Sequence, residues 1–175
     1  MKKTIKVIVS GDGGVGKTSF LNRLINDNFD ANSSLTKGID FFSKDVYING
    51  SEYNFIMWDF AGQNQFRRLL SDFVNGSLAA IVLFDLSRFN TIGGVEDWIK
   101  KLNRFGEIPT LILGSKTDTI DRNEINAFDD YISEIRRKNK NIIGYLKISS
   151  KTGSNINEAF YRLVENISKE KKENN

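Results

Sequence analysis

The residues best equipped for chemistry form one octapeptide, Gly11-Asp12-Gly13-Gly14-Val15-Gly16-Lys17-Thr18, which has the spacing G-x-x-x-x-G-K-[S/T]. Glycines at 11, 13, 14 and 16 let the main chain approach oxygen atoms without a Cβ clash and permit positive φ. Several backbone N–H groups can then surround one anion at the start of a helix, where the macrodipole favours negative charge. Lys17 can reach the β and γ phosphates of a nucleotide, and Thr18 can offer a hydroxyl to Mg²⁺. A chance glycine-rich turn would account for the glycines but not for Lys-Thr at this spacing between an apolar run (Ile5 to Val9) and a helical one (Ser19 to Ile25). Nucleotide phosphate binding is therefore predicted.

Composition narrows the chemistry further. The 175-residue chain suits one domain with a proper core, and its 39% hydrophobic and 27% charged residues are ordinary for a globular protein. It holds no cysteine and no histidine. Disulfides, thiol catalysis and His-based acid–base or zinc chemistry are excluded, which leaves carboxylates, hydroxyls, amides, Lys or a bound Mg²⁺. Phosphoryl transfer, governed by positioning and charge, fits that inventory. The net charge of +3 is spread along helices among acidic neighbours, so no nucleic-acid partner is expected. Met1-Lys2-Lys3 leads straight into a strand signal with no apolar leader, and the expected location is cytoplasmic. Only Lys169 to Asn175 reads as a weakly structured polar tail, leaving a domain over residues 1–168.

The elements that must position these groups follow a βα rhythm. Buried strands are predicted at Ile5 to Val9, Ala79 to Asp85, Thr110 to Gly114 and Ile142 to Ile148. Helical stripes appear in Val95, Trp98, Ile99 and Leu102; in Ile125, Phe128, Ile132 and Ile135; and from Ile156 to Ile167, where Asn155 with Glu158 reads as a capping box. Ile39 to Ile48 and Tyr53 to Trp58 flank Asn49-Gly50-Ser51, a hairpin signal. The predicted fold is a three-layer α/β sandwich of about six strands, mostly parallel with one antiparallel edge strand, with helices on both faces and the ligand beyond the carboxyl ends of the strands.

A second chemical set begins where the Tyr53 to Trp58 strand ends, in Asp59-Phe60-Ala61-Gly62-Gln63. A carboxylate at a strand end beside the loop can hold Mg²⁺ through water, and the Gly62 N–H can sense a γ phosphate. The Gln63 amide carries both a donor and an acceptor, so it can orient an attacking water without being a strong base.

With these residues in place, the chain resembles the Ras superfamily of small GTPases, and its Rab branch most closely, over nearly the whole length. Trp58-Asp59-Phe60-Ala61-Gly62-Gln63 is similar to the family's W-D-T-A-G-Q, and Thr36-Lys37-Gly38-Ile39-Asp40-Phe41 to its T-I-G-x-D-F. The resemblance implies a P-loop NTPase sandwich that binds GTP or GDP with Mg²⁺. It makes Gln63, Lys17 and Thr36 the catalytic residues, with Thr18, Thr36 and, through water, Asp59 holding the metal. Thr36 would lie in switch I and ligate only in the GTP state, and Gln63 would lie in switch II. Gly13, Gly14, Val15, Gly16, Lys17, Thr18, Ser19 and Gly62 would surround the phosphates, while Phe29 would pack edgewise against guanine.

Ser115-Lys116-Thr117-Asp118 resembles the family's N-K-x-D, and Ser149-Ser150-Lys151 its S-A-K loop, in which the N–H at Ser150 would donate to the guanine O6. A carboxylate at Asp118 can accept from N1–H and the 2-amino group, whereas adenine would leave that charge unpaired; such mismatches discriminate by about 10⁴-fold or more. Lys116 would lay its stem over the base. Ser115 replaces an Asn that ties the base segment to the phosphate loop, a loss expected to weaken binding by roughly one to two decades unless the hydroxyl recruits a water. Ser33 replaces a tyrosine lid, so faster exchange is expected, and Phe60 replaces a small Thr.

Gly13 leaves room for Gln63 and for an incoming arginine. No Arg of the chain has an assigned place in the site, although Arg67 and Arg68 lie near Gln63 in sequence, so hydrolysis should be slow until an activating protein adds about 10³ to 10⁵-fold. An exchange factor and effectors are further expected partners, the effectors meeting Phe41, Trp58 and Phe73 unless that trio is simply core. The chain has no Cys to carry a prenyl group, and Lys2 stands where N-myristoylation needs a glycine. No direct lipid anchor is therefore expected, any membrane contact is expected to be indirect, and the chain is expected to be a monomer. Two alternatives stay open at this point: a guanine-nucleotide-dependent binding module with little hydrolysis, and an adenine-nucleotide P-loop enzyme.

Overall fold

The computed structural model describes residues 2–62 and 70–173. Six strands form one sheet: β1 Lys3–Gly11, β2 Ile39–Ile48, β3 Ser51–Phe60, β4 Ala79–Asp85, β5 Thr110–Ser115 and β6 Ile142–Lys147. Their order is β2-β3-β1-β4-β5-β6, with β2 antiparallel to β3 and every other neighbouring pair parallel. Every residue of β4 and β5 is buried, as expected of parallel strands covered on both faces. β2, at the edge, alternates between exposed and half-buried residues. Asn49 and Gly50, at φ 48° and 76°, are the two central residues of the hairpin turn that sets the β2–β3 register, with Ile48 opposite Ser51.

The sheet lies between two helical layers. On one face α1 Lys17–Asn26 and the last helix, α5 Ile156–Glu173, enclose Phe20, Leu21, Phe55, Phe160 and Leu163. On the other, α3 Asn90–Asn103 and α4 Asp129–Lys138 bring Trp98, Ile99, Ile132 and Ile135 against Val82, Phe84 and Ile112, and Phe73 of the one-turn α2 Leu70–Phe73 packs on the same cluster. The order reverses at β1, which has β3 on one side and β4 on the other, so a crevice opens beyond its carboxyl end. The glycine loop occupies that place.

Three local readings differ from the structure. α4 begins at Asp129 rather than near Ile125, because the Asp121 carboxylate accepts from the Asn123 N–H at 2.9 Å and holds the preceding segment in turns. The buried face is therefore Phe128, Ile132 and Ile135. Asn155 and Glu158 form no capping box: Asn155 sits at φ 57°, its amide donates to the Lys147 carbonyl at 2.8 Å, and Glu158 turns to Arg162 at 3.6 Å. α5 runs to Glu173 and so takes in most of the segment read as a polar tail.

Phe160 is fully buried and meets Phe55 edge-on at 5.2 Å between ring centroids, joining α5 to β3. Phe160→Ala is expected to lower the unfolding free energy by about 3–5 kcal/mol in a urea titration.

Candidate functional site

Gly16, at φ 94°, lets the chain turn out of the glycine loop into α1. Lys17, the first helical residue, is 5% exposed, and its ammonium donates to the Gly11 and Asp12 carbonyls at 3.0 and 2.8 Å. Gly62 lies hard against the same loop: a Cβ there would come within 2.4 Å of both the Gly11 carbonyl oxygen and the Gly13 nitrogen. That close approach requires glycine and fixes the segment after β3 to the phosphate loop. A Cβ on Gly13 would meet none of the described atoms within 4 Å.

Three oxygen-bearing side chains from distant parts of the chain converge beside Lys17. The Thr18 hydroxyl donates to Oδ2 of Asp59, at the end of β3, and lies 2.5 Å from the Thr36 hydroxyl. Thr18 has one proton, and with Asp59 ionised that proton goes to the carboxylate, so Thr36 donates to Thr18. Asp59 is fully buried and its Oδ1 has no partner among the described residues, an arrangement that leaves charge uncompensated. Burial pushes its carboxyl above the usual range, against the opposing effects of Thr18 and Lys17. Two hydroxyls and an orphaned carboxylate oxygen make a hard, all-oxygen set, and these residues fit Mg²⁺.

The base-side segment is tied to the phosphate loop more tightly than its sequence suggested. The Ser115 hydroxyl lies 2.6 Å from the Val15 carbonyl and 2.9 Å from that of Phe84. The expected loss of that tie is corrected, since the short side chain reaches the loop directly. Lys116, at φ 64°, donates to the Gly14 carbonyl at 2.9 Å. It also pairs at 2.8 Å with Asp85, a buried carboxylate at the end of β4 that accepts from Arg88 at 2.9 Å. Arg88 in turn donates to the Gly13 carbonyl at 2.9 Å. Burial would raise the Asp85 pKa, but the bonds from Lys116, Ser87 and Arg88 outweigh it and the carboxyl is held below its usual value. Asp85 and Arg88 escaped sequence reasoning; the one available signal was an acidic residue closing an otherwise apolar buried strand.

A cavity of about 410 Å³ runs through these groups, the size of a small-molecule site. Gly13, Gly14, Gly16, Lys17, Thr18, Ser19, Thr36 and Gly62 line one part, and Phe29, Ser115, Lys116, Asp118, Ser150 and Lys151 another. Ser33, Leu35 and Thr119 join them. Two expected contacts stand behind the wall: the Val15 side chain is in the core, and Ser149 is buried with its hydroxyl donating to Asp118 at 2.5 Å. Gln63, Arg67 and Arg68 lie outside the described residues. Away from the cavity, Phe41, Trp58 and Phe73 form a continuous cluster, with centroids 4.7 and 5.5 Å apart, and the Lys6 ammonium stands 4.0 Å over the Trp58 ring. Phe41 is 57% exposed, so the cluster is not wholly core.

A glycine loop at the reversal point of a mostly parallel sheet, with an all-oxygen cation set and a cavity that runs on to Phe29, Lys116 and Asp118, defines a phosphate-loop nucleotide-binding protein. The chain belongs to the Ras family, whose model matches residues 6–169. It is 35% identical over 169 residues to Ras-related protein Rab-22A of Homo sapiens, covering 94% of this chain and 84% of that one. The Canis lupus familiaris and Mus musculus proteins of the same name are 35% and 34% identical over the same shares. The protein is thus a Rab-like small GTPase. Among the described residues no helix is long and apolar enough to cross a membrane.

Because the native Asp59 carboxyl keeps its proton at a pH where the unfolded chain has released it, metal-free stability falls as pH rises from the ordinary carboxylate range through the raised value. In EDTA and free of nucleotide, Asp59→Asn is expected to melt above the wild type at neutral pH, with the gain vanishing on acidification and Mg²⁺ no longer stabilising the variant. A lower melting point at every pH would contradict this reading. Ser115→Ala removes the tie to the Val15 carbonyl and is expected to speed nucleotide release by about tenfold in a fluorescent-nucleotide chase.

Proposed function

We propose that this protein is a switch cycling between GTP and GDP forms, with switch I closing through Thr36 and switch II carrying Gln63. The observation that carries the reading is the contact of Thr36 with Thr18, beside the buried Asp59: it brings a loop 18 residues away onto the cation set at the phosphate end of the cavity. Loss of the γ phosphate would remove the reason for that loop to stay.

Each end of the cavity has its own task in this reading. Lys17 and the amides of residues 13–18 hold the β and γ phosphates, and Asp118, oriented by Ser149, accepts from guanine while Lys116 covers one face of the base. Mg²⁺, held by Thr18, Thr36 and, through water, Asp59, supplies charge neutralisation at the phosphates. Gln63 orients the water that attacks the γ phosphate. No Arg lines the cavity among the described residues, and Arg88 is committed to Asp85 and the Gly13 carbonyl. Unaided turnover is therefore slow, and an activating protein supplies the missing cation in trans, for about 10³ to 10⁵-fold. The Phe41–Trp58–Phe73 cluster, next to switch I, is the effector face; aromatic groups of this kind anchor interfaces.

Protein purified without added nucleotide, denatured and chromatographed is expected to release GDP, and single-turnover hydrolysis of loaded GTP is expected to be lost in Gln63→Leu. Released GTP that the wild type fails to hydrolyse would instead support a binding module, and an adenine nucleotide would overturn the guanine assignment.

A further inference from the structure

Arg23 stands in the last turn of α1, outside the cavity, with its side chain 19% exposed. Its guanidinium nevertheless reaches two segments that form the guanine end of the site. One terminal nitrogen donates to the Lys151 carbonyl at 2.7 Å, 128 residues away, and the other to the Asp27 carbonyl at 3.0 Å. Lys151 and Ser150 line the cavity, and Ser149 in the same loop orients Asp118. Asp27, at φ 49°, ends α1 and turns the chain toward Phe29, which lines the cavity from the opposite segment. Gly153, at φ 83°, brings the loop backbone to the guanidinium: a Cβ there would stand 3.5 Å from the Arg23 Nε.

We propose that Arg23 is a positioning residue that fastens the Ser149–Gly153 loop to the Asp27–Phe29 segment and so sets how long a guanine nucleotide stays bound; this rests on the guanine-nucleotide reading above. Among the other hydrogen bonds of the loop, Gly153 and Thr152 tie back to Ser149 and Ser149 to Ser154, the Ser149 hydroxyl reaches Asp118 and the Ile156 N–H reaches the Gly153 carbonyl, and none of these reaches α1. The Arg23 bond instead fixes the loop to α1, the helix whose first turn holds Lys17 and Thr18. A cationic donor makes a stronger hydrogen bond to a carbonyl than a neutral donor does. The Asp27 carboxylate, by contrast, is 93% exposed, so its ion pair with Arg23 adds little and the two carbonyls carry the effect. A planar fork can serve both carbonyls in two directions at once, which an ammonium does less well.

The test measures dissociation of a fluorescent GDP chased with excess GDP, with and without EDTA, in full-length wild type, Arg23→Ala, Arg23→Lys and Asp27→Asn. Arg23→Ala is expected to release GDP at least about tenfold faster than wild type, with Arg23→Lys between them and Asp27→Asn, which keeps a residue that tolerates φ 49°, within about twofold of wild type. The acceleration produced by EDTA should be the same multiple in all four proteins, because the metal and phosphate end is untouched; a merely structural loosening would shrink it. Release from both Arg23 variants within about twofold of wild type, or an EDTA multiple that collapses in both, overturns the assignment to Arg23 alone. A wild type that takes up no GDP overturns the guanine-nucleotide reading and this inference together.

Discussion

Five consecutive carbonyls of the phosphate loop are pinned by side chains, and the rest of the site depends on that restraint. Gly11 and Asp12 are held by Lys17, Gly13 by Arg88, Gly14 by Lys116 and Val15 by Ser115. A peptide unit is planar, with its C=O and N–H on opposite sides, so fixing the carbonyl of one residue aims the N–H of the next. Held at residues 11 to 15, the loop has the N–H groups of residues 12 to 16 set before any anion arrives. Glycine alone would leave such a loop floppy, since it has the most backbone freedom to lose. The side chains that supply the rigidity come from α1, from the turn after β4 and from the end of β5, which makes the nucleotide site a product of the whole sheet's C-terminal edge.

Two fully buried carboxylates stand at that edge, and the contrast between them separates architecture from chemistry. Asp85 is met by Lys116, Arg88 and Ser87, and its pKa falls. Asp59 has one short bond from Thr18 and an oxygen with no partner among the described residues, and its pKa rises. A buried charge is tolerated when paired and hydrogen-bonded and is costly otherwise. Asp85 is therefore complete as it stands and acts on the loop through the two cations it holds. Asp59 is complete only with a cation, so the folded chain gives up stability at this position, and binding can restore it.

What the sequence made legible was local. The octapeptide, the apolar strands and the Asn49-Gly50 turn each state their conformation within a few residues, and all appear where the pattern put them. Local signals misled where another bond competed, as with Asp121 before α4 and with Asn155, whose amide goes to Lys147. What stayed hidden was held by contacts across 75 to 128 residues: Arg88 on Gly13, Lys116 on Gly14, Arg23 on Lys151. Ser115 shows the same limit in another form. Judged by size against an Asn it looked like a lost tie, yet the packing of β5 behind the loop puts its hydroxyl within reach of Val15, 100 residues away.

α1 runs between the two ends of the site, and its geometry explains why one end can be loosened without the other. Its ten residues span about 15 Å at the usual rise, with Lys17 and Thr18 in the first turn and Arg23 in the last. Phe20, Leu21 and Leu24 bury the face between them, so the helix is held in the core along its length and moves as a body or not at all. Cutting the Arg23 bond would therefore free the base loop and leave Lys17 and Thr18 where the core holds the helix. Switch I meets the same helix at Thr18 through Thr36. Phosphate, base and switch thus hang on one rigid element, each through its own few bonds, so that one tie can be cut while the others hold.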